Sequence, residues 1–312
     1  MSTGWKRLSA RHRAGNYLAV LGHINIDMVY ELERFPVKGQ SINTGVVKEL
    51  FGGTAGNIAL HAAALGVRTA IGCYVGGDLK SDFRRRLLDS GIDCYDVIVV
   101  EDERTPRCHI FNTPDGEQTY VIEQGAMASS KPLPVWETCI STSEVVHVAT
   151  GDPARYIEAL KGRSYSFDPG QEISYRYTRQ NFRKLLGGAS IFFTNAVEMK
   201  MALKLSGAQN EKSLTSHCGT VIKNIGAKGT LVIEKDGTTA VPASRVKRYI
   251  DTIGAGDAFR AGFYAAREKG NGLIKSVEYG NAMASIAIEG AGGIGSLANF
   301  ASLEKRWNEN YG

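Results

Sequence analysis

The sequence predicts an α/β fold in which a doubly wound, mostly parallel sheet has helices on both faces. From residue 67 onwards, short apolar runs, glycine or polar turns and helical stretches follow one another repeatedly. This alternation is typical of parallel strands joined by crossover helices. No internal repeat and no linker rich in Pro or Ser divides the chain. We therefore predict one domain over residues 17–312, with a small additional β-sheet and a basic, disordered tail over residues 1–16.

Composition excludes several classes of protein. The chain has 312 residues, of which 43% are hydrophobic and 22% charged, as in ordinary globular proteins. Neither a membrane span of ~20 apolar residues nor the apolar segment of a signal peptide is visible. The five cysteines and six histidines are scattered, without a Cys-x-x-Cys pair. We therefore expect reduced thiols, a cytoplasmic location and no structural metal site.

The net charge of +5 comes mostly from the N-terminus. Four basic residues and no acidic residue precede position 17, namely Lys6, Arg7, Arg11 and Arg13. Without these four, 33 basic residues face 32 acidic ones. Because the rest of the chain is nearly neutral, it carries no electrostatic signature of nucleic-acid binding.

The first predicted buried strand runs from Tyr17 to Gly22, a short apolar segment that ends in glycine. Asp27 follows shortly after its carboxyl end, where open α/β sheets bind ligands. A carboxylate accepts two hydrogen bonds and suits the vicinal diol of a sugar. An Asp in this position also caps turns, so both interpretations of Asp27 stand.

Two later segments predict the small sheet. Residues 28–50 alternate loosely between apolar and polar side chains, and so do 107–112 and 118–122. The turn Thr113-Pro-Asp-Gly116 between the last two is typical of a hairpin. We predict that segments of about 28–50 and 104–124 form a sheet that stands off the main domain.

A glycine-rich loop opens the first predicted helix. Phe51-Gly-Gly-Thr-Ala-Gly-Asn57 leads into an Ala-rich stretch that ends at Gly66, which suits a helix C-cap. Small residues let the backbone of such a loop approach a ligand closely. A glycine-rich loop alone is a weak signal, so its ligand stays open at this point.

Further predicted strands cover 69–75, 144–149, 164–167, 190–194, 220–222 and 230–233. Polar side chains stand at the ends of three of them, namely Asp168, Asn195 and Asn224. Carboxyl ends of parallel strands meet at one edge of a sheet, so we expect these groups to face one crevice.

The stretch from Asp251 to Gly262 places a Gly-Ala-Gly loop before an apolar helix. Asp257 is predicted to lie in the first turn of that helix, where free amides and the helix dipole favour anions. A carboxylate beside a phosphate site suits a base that takes a proton from an attacking hydroxyl. First-turn carboxylates are also common in helices without any catalytic role.

Two motifs about 200 residues apart resemble the signatures of the ribokinase/PfkB family of small-molecule kinases. They are Gly52-Gly53-x-x-x-Asn57 and the stretch Asp251–Gly262. The resemblance covers about residues 17–305 and implies a ribokinase-like fold. It also implies that the small sheet is a lid that closes over the substrate and excludes water.

The resemblance assigns roles to individual residues. The catalytic group it implies is the base Asp257 with an anion hole of Gly254, Ala255 and Gly256. The acceptor contacts are Asp27, Gly53 and Asn57. To these we add the lid candidates Asn43, Phe111 and Gln118, each of which has a plain surface or packing role as its alternative. The nucleotide contacts are Asn195, Asn224, Gly226, Gly229 and Asn281. Asn224 departs from the family pattern, which has Thr there, but still offers a hydrogen-bonding group.

The resemblance also implies the cofactors. Glu198 is expected to help organise Mg²⁺, held through water, because Mg²⁺ keeps several waters in such sites. The alternative for Glu198 is an ordinary first-turn helix carboxylate. Backbone near Asp251 is expected to help bind a monovalent cation, which predicts dependence on K⁺. The nucleotide is expected to be ATP.

The most detailed part of the resemblance concerns the acceptor. Five segments resemble the archaeal nucleoside kinases of the family: Gly22–Asp27, Thr105–Arg107, His147–Pro153, Ser166–Gln171 and Arg260–Phe263. Those enzymes phosphorylate the 5′-hydroxyl of several nucleosides. A kinase for a free sugar or a keto-sugar acid is the alternative within the family. A non-catalytic sugar- or nucleotide-binding protein is the alternative of another class, although a binding protein needs no base.

A phosphorylated sugar is a less suitable acceptor, because it requires a cationic cluster on the lid. The basic lid residues are Arg107 and, nearby, Arg104. The partners we expect are therefore ATP and a nucleoside or sugar, with no nucleic acid and no membrane. An exposed apolar face of the lid would favour a homodimer.

Overall fold

The structure is a computed structural model that describes residues 4–45 and 47–312. Its strands, in chain order, are β1 (Trp5–Arg7), β2 (Asn16–Leu21), β3 (Asn25–Glu31), β4 (Val47–Gly52), β5 (Thr69–Gly76), β6 (Val97–Val100), β7 (Arg107–Asn112), β8 (Gln118–Glu123), β9 (Ser143–Val148), β10 (Tyr165–Phe167), β11 (Ala189–Asn195), β12 (Thr220–Asn224), β13 (Thr230–Ile233) and β14 (Thr238–Val241). Ten of them form one sheet in the order β1-β6-β5-β2-β9-β10-β11-β12-β13-β14. All pairs from β6 to β12 are parallel, and the outer pairs are antiparallel.

Helices cover both faces of this sheet. They are α1 (Thr54–Ala64), α2 (Ser81–Asp89), α3 (Glu137–Thr142), α4 (Pro153–Ala159), α5 (Arg179–Gly188), α6 (Ala196–Ser206), α7 (Ala255–Glu268), α8 (Leu273–Ala287) and α9 (Phe300–Tyr311). Successive side chains of β2 point to opposite faces: Leu18 and Val20 pack in one hydrophobic cluster, Ala19 and Leu21 in the other. All four are fully buried, which confirms the predicted doubly wound sheet.

The centre of the sheet is the point where the chain changes direction. From β2 it proceeds to β5 and β6 on one side, whereas β9 to β12 follow on the other side. Such a reversal leaves a crevice beyond the carboxyl ends of the two central strands, here β2 and β9. None of the helices in the described residues is long and apolar enough to cross a membrane.

The lid is a separate sheet of four strands in the order β4-β3-β7-β8. Its strands confirm the small sheet predicted from segments 28–50 and 104–124. One detail differs from the prediction: the first lid strand, β3, begins at Asn25 and not at about residue 28, so Asp27 lies inside a lid strand. Val46, part of the predicted alternation, lies outside the described residues.

The N-terminal segment differs from the prediction. Strand β1 pairs antiparallel with β6 at the edge of the large sheet. The guanidinium of Arg7 forms an ion pair with the carboxylate of Asp96, whose side chain is 1% exposed. A disordered tail over residues 1–16 is therefore wrong for the described part, because the side chains of Lys6, Arg7 and Arg13 find partners in the fold. Residues 1–3 lie outside the described residues.

Candidate functional site

A cavity of about 1030 Å³ opens beyond the carboxyl ends of the central parallel strands, with the lid over one side. Its floor is formed by residues at the carboxyl ends of five strands. Each is the last residue of its strand or one of the two that follow it: His23, Thr150, Asp168, Asn195 and Asn224. The predicted meeting of polar strand ends at one crevice is thus observed for Asp168, Asn195 and Asn224. This geometry follows from the parallel order of the strands.

The anion loop, which we define as Gly254, Ala255 and Gly256, lines the middle of the cavity. Gly254 is the N-cap of α7 and has φ of 75°, a left-handed conformation that favours glycine. A Cβ at this position would lie 2.5 Å from the Cα of Gly293. The first-turn amides of α7 lack partners within the helix, so this end can bind a phosphate group.

Asp257 lies in the first turn of α7 and lines the same cavity. Its Oδ2 accepts a hydrogen bond of 2.9 Å from Nδ2 of Asn57 in α1. Burial raises the pKa of Asp257 to about 7, while the Asn57 hydrogen bond and the charge of Arg260 oppose this rise. A carboxylate with this pKa can accept a proton near neutral pH.

Asp27 faces Asp257 from the lid side of the cavity. Its Oδ1 accepts a hydrogen bond of 2.6 Å from Nδ2 of Asn25. Burial, and then the negative charge of Asp257, raise the pKa of Asp27 to about 7. Gly52 and Gly53 permit this packing, because a Cβ at Gly52 would overlap the Asp27 carboxylate and one at Gly53 would lie 2.5 Å from Asn25 Oδ1.

The lid presents an apolar surface to the cavity. Alternate residues of β7 and β8 line it, together with Pro106: Cys108, Ile110, Tyr120 and Ile122. Each pair of facing residues shares one side of the sheet, Cys108 with Ile122 and Ile110 with Tyr120. We call this set of five residues the apolar lid face.

Three predicted lid contacts do not reach the cavity. Phe111 lies on the opposite side of the lid and stacks on Tyr30, with ring centroids 4.9 Å apart. Gln118 shares the side of the apolar lid face, but lies beyond Tyr120, whose hydroxyl donates a 2.6 Å hydrogen bond to it. Asn43 lines a small groove on the lid that is separate from the large cavity.

The five predicted nucleotide contacts do meet at the other end of the cavity. They are Asn195, Asn224, Gly226, Gly229 and Asn281. Thr230 links two of them, since its Oγ1 accepts from Nδ2 of Asn224 at 3.0 Å and donates to Oδ1 of Asn281 at 2.7 Å. Gly226 and Gly229 have φ of 62° and 98°, so the loop between β12 and β13 bends where glycine is favoured.

Glu198 combines a structural role with a position in the cavity. Its Oε2 accepts a 2.9 Å hydrogen bond from the backbone N–H of Asn195, and the Asn195 side chain caps the same helix. The helix-carboxylate alternative is therefore part of what Glu198 does. Burial and the negative charge of Asp168 raise the pKa of Glu198 to about 7.

Carboxylate oxygens are ligands that suit Mg²⁺, and Glu198 and Asp168 both line the cavity beside the anion loop. No cluster of three or more metal-ligating side chains was found in the described residues. These two carboxylates fit a magnesium ion whose remaining ligands are phosphate oxygens and water.

Asp251 joins two loops and does not line the cavity. Its Oδ1 accepts from the N–H of Ile253 and its Oδ2 from the N–H of Gly292, both at 3.0 Å. Asp251 thus fixes the approach to the anion loop against the loop after α8. This placement is compatible with the predicted cation site, which stays a prediction.

Sequence reasoning missed several cavity residues. Arg260 was noted only as part of a similar segment, although a charged residue inside an apolar helix was a signal. His23 and Glu172 were not assigned, yet their side chains are buried and their ends lie 3.9 Å apart, Nε2 to Oε1. His23 Nε2 and Glu172 Oε2 have no hydrogen-bond partner, which is unusual for buried polar atoms.

Comparisons with known proteins agree with this arrangement. Residues 16–299 match the family model described as pfkB family carbohydrate kinase. A nucleoside kinase of Methanothermobacter thermautotrophicus is 30% identical over 309 residues, which cover 95% of this chain and 96% of that protein. The crystal structure of the nucleoside kinase of Methanocaldococcus jannaschii has a TM-score of 0.88, with 29% identity, and covers 95% and 99% of the two chains.

A more distant structure shows the fold alone. The nucleoside kinase of Burkholderia thailandensis in complex with inosine has a TM-score of 0.81 at 23% identity and covers 94% of this chain and 98% of its own. The ribokinase-like fold with its lid, expected from the two glycine motifs, is confirmed.

Proposed function

The chain belongs to the pfkB family of carbohydrate kinases, and we propose that it transfers the γ-phosphoryl group of ATP to the 5′-hydroxyl of a nucleoside. The observation that carries this acceptor is the apolar lid face over the acceptor end of the cavity. A nucleobase offers a flat, largely apolar surface to such a wall. A free sugar would leave the same wall without a partner.

The ribose is proposed to bind between the two buried carboxylates. Asp27 accepts hydrogen bonds from the vicinal hydroxyls, because an ionised carboxylate offers only acceptors. Gly53 has φ of 95° and no side chain, so its backbone can approach the sugar. Asn57 would lie between the ribose and the proposed general base, since its side chain contacts Asp257.

The proposed general base is Asp257. It takes the proton from the 5′-hydroxyl as the oxygen attacks the phosphoryl group. The hydrogen bond from Asn57 restricts the position of the carboxylate and leaves Oδ1 for the substrate. The anion loop directly precedes Asp257 in the chain, so the base and the phosphate site share the first turn of α7.

The phosphates of ATP are proposed to lie along the anion loop, with the rest of the nucleotide at Asn195, Asn224, Gly226, Gly229 and Asn281. Glu198, with Asp168 beside it, would help hold Mg²⁺ through water. Bound Mg²⁺ would neutralise negative charge on the transferring phosphoryl group.

Acidic or phosphorylated sugars fit the cavity less well. Among the described residues, its only Lys or Arg side chains are Arg245, at the nucleotide end, and Arg260, paired with Asp168 at 2.8 Å. Arg107, the basic lid residue, forms an ion pair of 2.6 Å with Asp78. In the described part of the chain, no Lys or Arg that lines the cavity is thus left near the acceptor for a carboxylate or a phosphate.

Three further properties stay predictions. Exposed apolar residues on the outer side of the lid, such as Val47 and Val121, support the proposed homodimer, which sedimentation would detect. Dependence on K⁺ would appear as faster turnover in KCl than in LiCl. The cytoplasmic location rests on the scattered cysteines, whose thiols are free in the structure.

The decisive experiment is a coupled assay of ADP release with MgATP and KCl. Its acceptors are nucleosides, free pentoses and hexoses, keto-sugar acids and fructose 6-phosphate. We expect turnover with nucleosides and a loss of ~10²–10⁴-fold in Asp257→Asn, with nucleoside binding retained by calorimetry. Turnover with a sugar alone would refute the acceptor, and full turnover of Asp257→Asn would refute the base. Binding without turnover on every acceptor would favour the non-catalytic alternative.

A further inference from the structure

Arg260 is a buried cation in the otherwise apolar middle of α7, and 6% of its surface is exposed. We propose that Arg260 is a positioning residue that holds the anion loop, the end of β10 and the end of β12 in one arrangement. The proposal rests on the proposed function only in placing phosphoryl transfer at the anion loop, whichever acceptor is used.

The contacts of the guanidinium reach three parts of the cavity. Its Nε lies 2.8 Å from Oδ2 of Asp168, which follows β10. Its Nη1 donates to the carbonyl oxygen of Gly256 in the anion loop at 3.0 Å, and to Oδ1 of Asn224 at the end of β12 at 3.3 Å. The Nε contact is an ion pair without an aligned hydrogen bond.

The aromatic surroundings restrict where the guanidinium can lie. Its Cζ is 5.2 Å from the ring centroid of Phe193 and 5.8 Å from that of Phe259. A planar guanidinium combines stacking on aromatic rings with donors in several directions, which the point charge of Lys cannot do. Arg260 can therefore link the first turn of its own helix, at Gly256, to two other segments at once.

A contribution to the stability of the fold does not by itself explain the ion pair between Arg260 and Asp168. Buried ion pairs are often no more stable than well-packed apolar residues, because both charges lose their hydration. Arg260 and Asp168 are both nearly buried, at 6% and 8% exposure. The contact to Gly256 gives the pair a consequence for the site, since Gly256 precedes the proposed base Asp257.

Loss of Arg260 is expected to disturb the transition state more than substrate binding. Without it, the Gly256 carbonyl and the Asn224 amide lose a common donor, and the anion loop can move relative to the nucleotide. A displacement of about 1 Å at an active site can reduce the rate by ~10²-fold. Among the described residues, Arg260 forms its hydrogen bonds and ion pair with Gly256, Asn224 and Asp168 and none with Asp27 or the apolar lid face, so the acceptor end should keep its affinity.

The first test compares Arg260→Met with Arg260→Lys in the ADP-release assay. We expect kcat to fall about 10²-fold in Arg260→Met while the KM for the acceptor stays within about threefold. Arg260→Lys should recover part of kcat, because it can still pair with Asp168. The matched control is Arg267→Met in the same helix, since Arg267 is exposed and its Nη1 donates to the nearby carbonyl oxygen of Asn271, outside the cavity. A merely structural Arg260 would lower the melting temperature and leave kcat of the folded protein unchanged.

A double-mutant cycle tests the coupling between Arg260 and Asp168. Because the two side chains form one ion pair, the effects of Asp168→Asn and Arg260→Met on kcat should not be additive. ADP binding by calorimetry needs no turnover and should weaken about tenfold in Arg260→Met, because the Asn224 loop loses one hydrogen bond.

The outcomes separate this proposal from the proposed function. If wild-type protein turns over a sugar instead of nucleosides, the acceptor is wrong and the Arg260 variants are compared with that sugar. An Arg260→Met variant with kcat within about threefold of wild type would overturn the positioning role. If no acceptor is turned over, unchanged ADP affinity in Arg260→Met would overturn it.

Discussion

Asn57 and Asp257 lie 200 residues apart in the sequence, and a hydrogen bond of 2.9 Å joins their side chains in the wall of the cavity. Asn57 belongs to the first turn of α1 and Asp257 to the first turn of α7. This contact joins the acceptor end to the phosphate end. It also makes Asn57 a determinant of the ionisation of Asp257, because a donated hydrogen bond stabilises the charged carboxylate.

We expect kcat/KM to rise with pH and to level off above about 7, because the ionised form of the proposed base is required. Asp27, Asp168 and Arg260 contribute to the field at Asp257. Asn57→Ala removes the stabilising donor and should move the acid limb of the pH–rate profile to higher pH. Asn308→Ala, an exposed amide in α9, is the control. An acid limb at the same pH in Asn57→Ala and wild type would contradict this assignment.

We expect Asp257→Asn to be more stable than wild type at pH 8. The folded-state pKa of Asp257 is raised above its ordinary value. Its contribution to stability is therefore complete below that ordinary value and is lost as pH rises through about 7. Asn cannot ionise, so its advantage in melting temperature should shrink between pH 8 and pH 5. Scanning calorimetry at both values tests this, and a variant that melts lower than wild type at pH 8 would refute it.

The apolar lid face should determine nucleoside affinity. Ile122→Ser should raise the KM for the nucleoside by about tenfold, because roughly 1–3 kcal/mol of apolar contact is lost. The KM for MgATP should stay unchanged, because the nucleotide is proposed to bind at the other end of the cavity. Val121→Ser is the matched control, since Val121 directly precedes Ile122 in β8 and points to the other side of the lid. Equal effects of the two substitutions on the nucleoside KM would argue against the base-binding surface.

Glu198→Gln should raise the Mg²⁺ concentration needed for half-maximal turnover. Gln can still accept the hydrogen bond from the Asn195 backbone and keep the helix cap. The substitution therefore removes the charge while it preserves α6. Titration of ADP release against MgCl₂ at fixed ATP measures the effect. An unchanged Mg²⁺ requirement would leave Glu198 with its capping role alone.

The N-terminal strand should contribute to stability. Arg7→Ala removes the cation that faces the buried carboxylate of Asp96, and we expect a loss of about 1–3 kcal/mol in the free energy of unfolding. Lys6→Ala, which breaks the exposed ion pair with Glu101, should cost at most ~1 kcal/mol. Urea unfolding of both variants provides the comparison. Similar losses in the two variants would show that the Asp96 contact has no special weight.

The sequence by itself determined the fold class and the lid segments. These features depend on local patterns: apolar runs of strand length, a Pro-Asp-Gly turn, and glycine loops placed before apolar helices. The backbone requirements of such patterns are short in range, so they can be read from consecutive residues. Asp257, Asn57 and the five nucleotide contacts were assigned by the resemblance to the ribokinase/PfkB family, and all of them line the cavity.

Only the tertiary structure decided which lid side chains face the cavity and which charges form pairs. In β7, Ile110 lines the cavity and the adjacent Phe111 does not, since neighbouring residues of a strand point to opposite sides. The ion pair of Arg260 with Asp168, and that of Arg7 with Asp96, join residues far apart in the chain. Such partners are fixed by the packing of separate elements, which no local pattern of residues records.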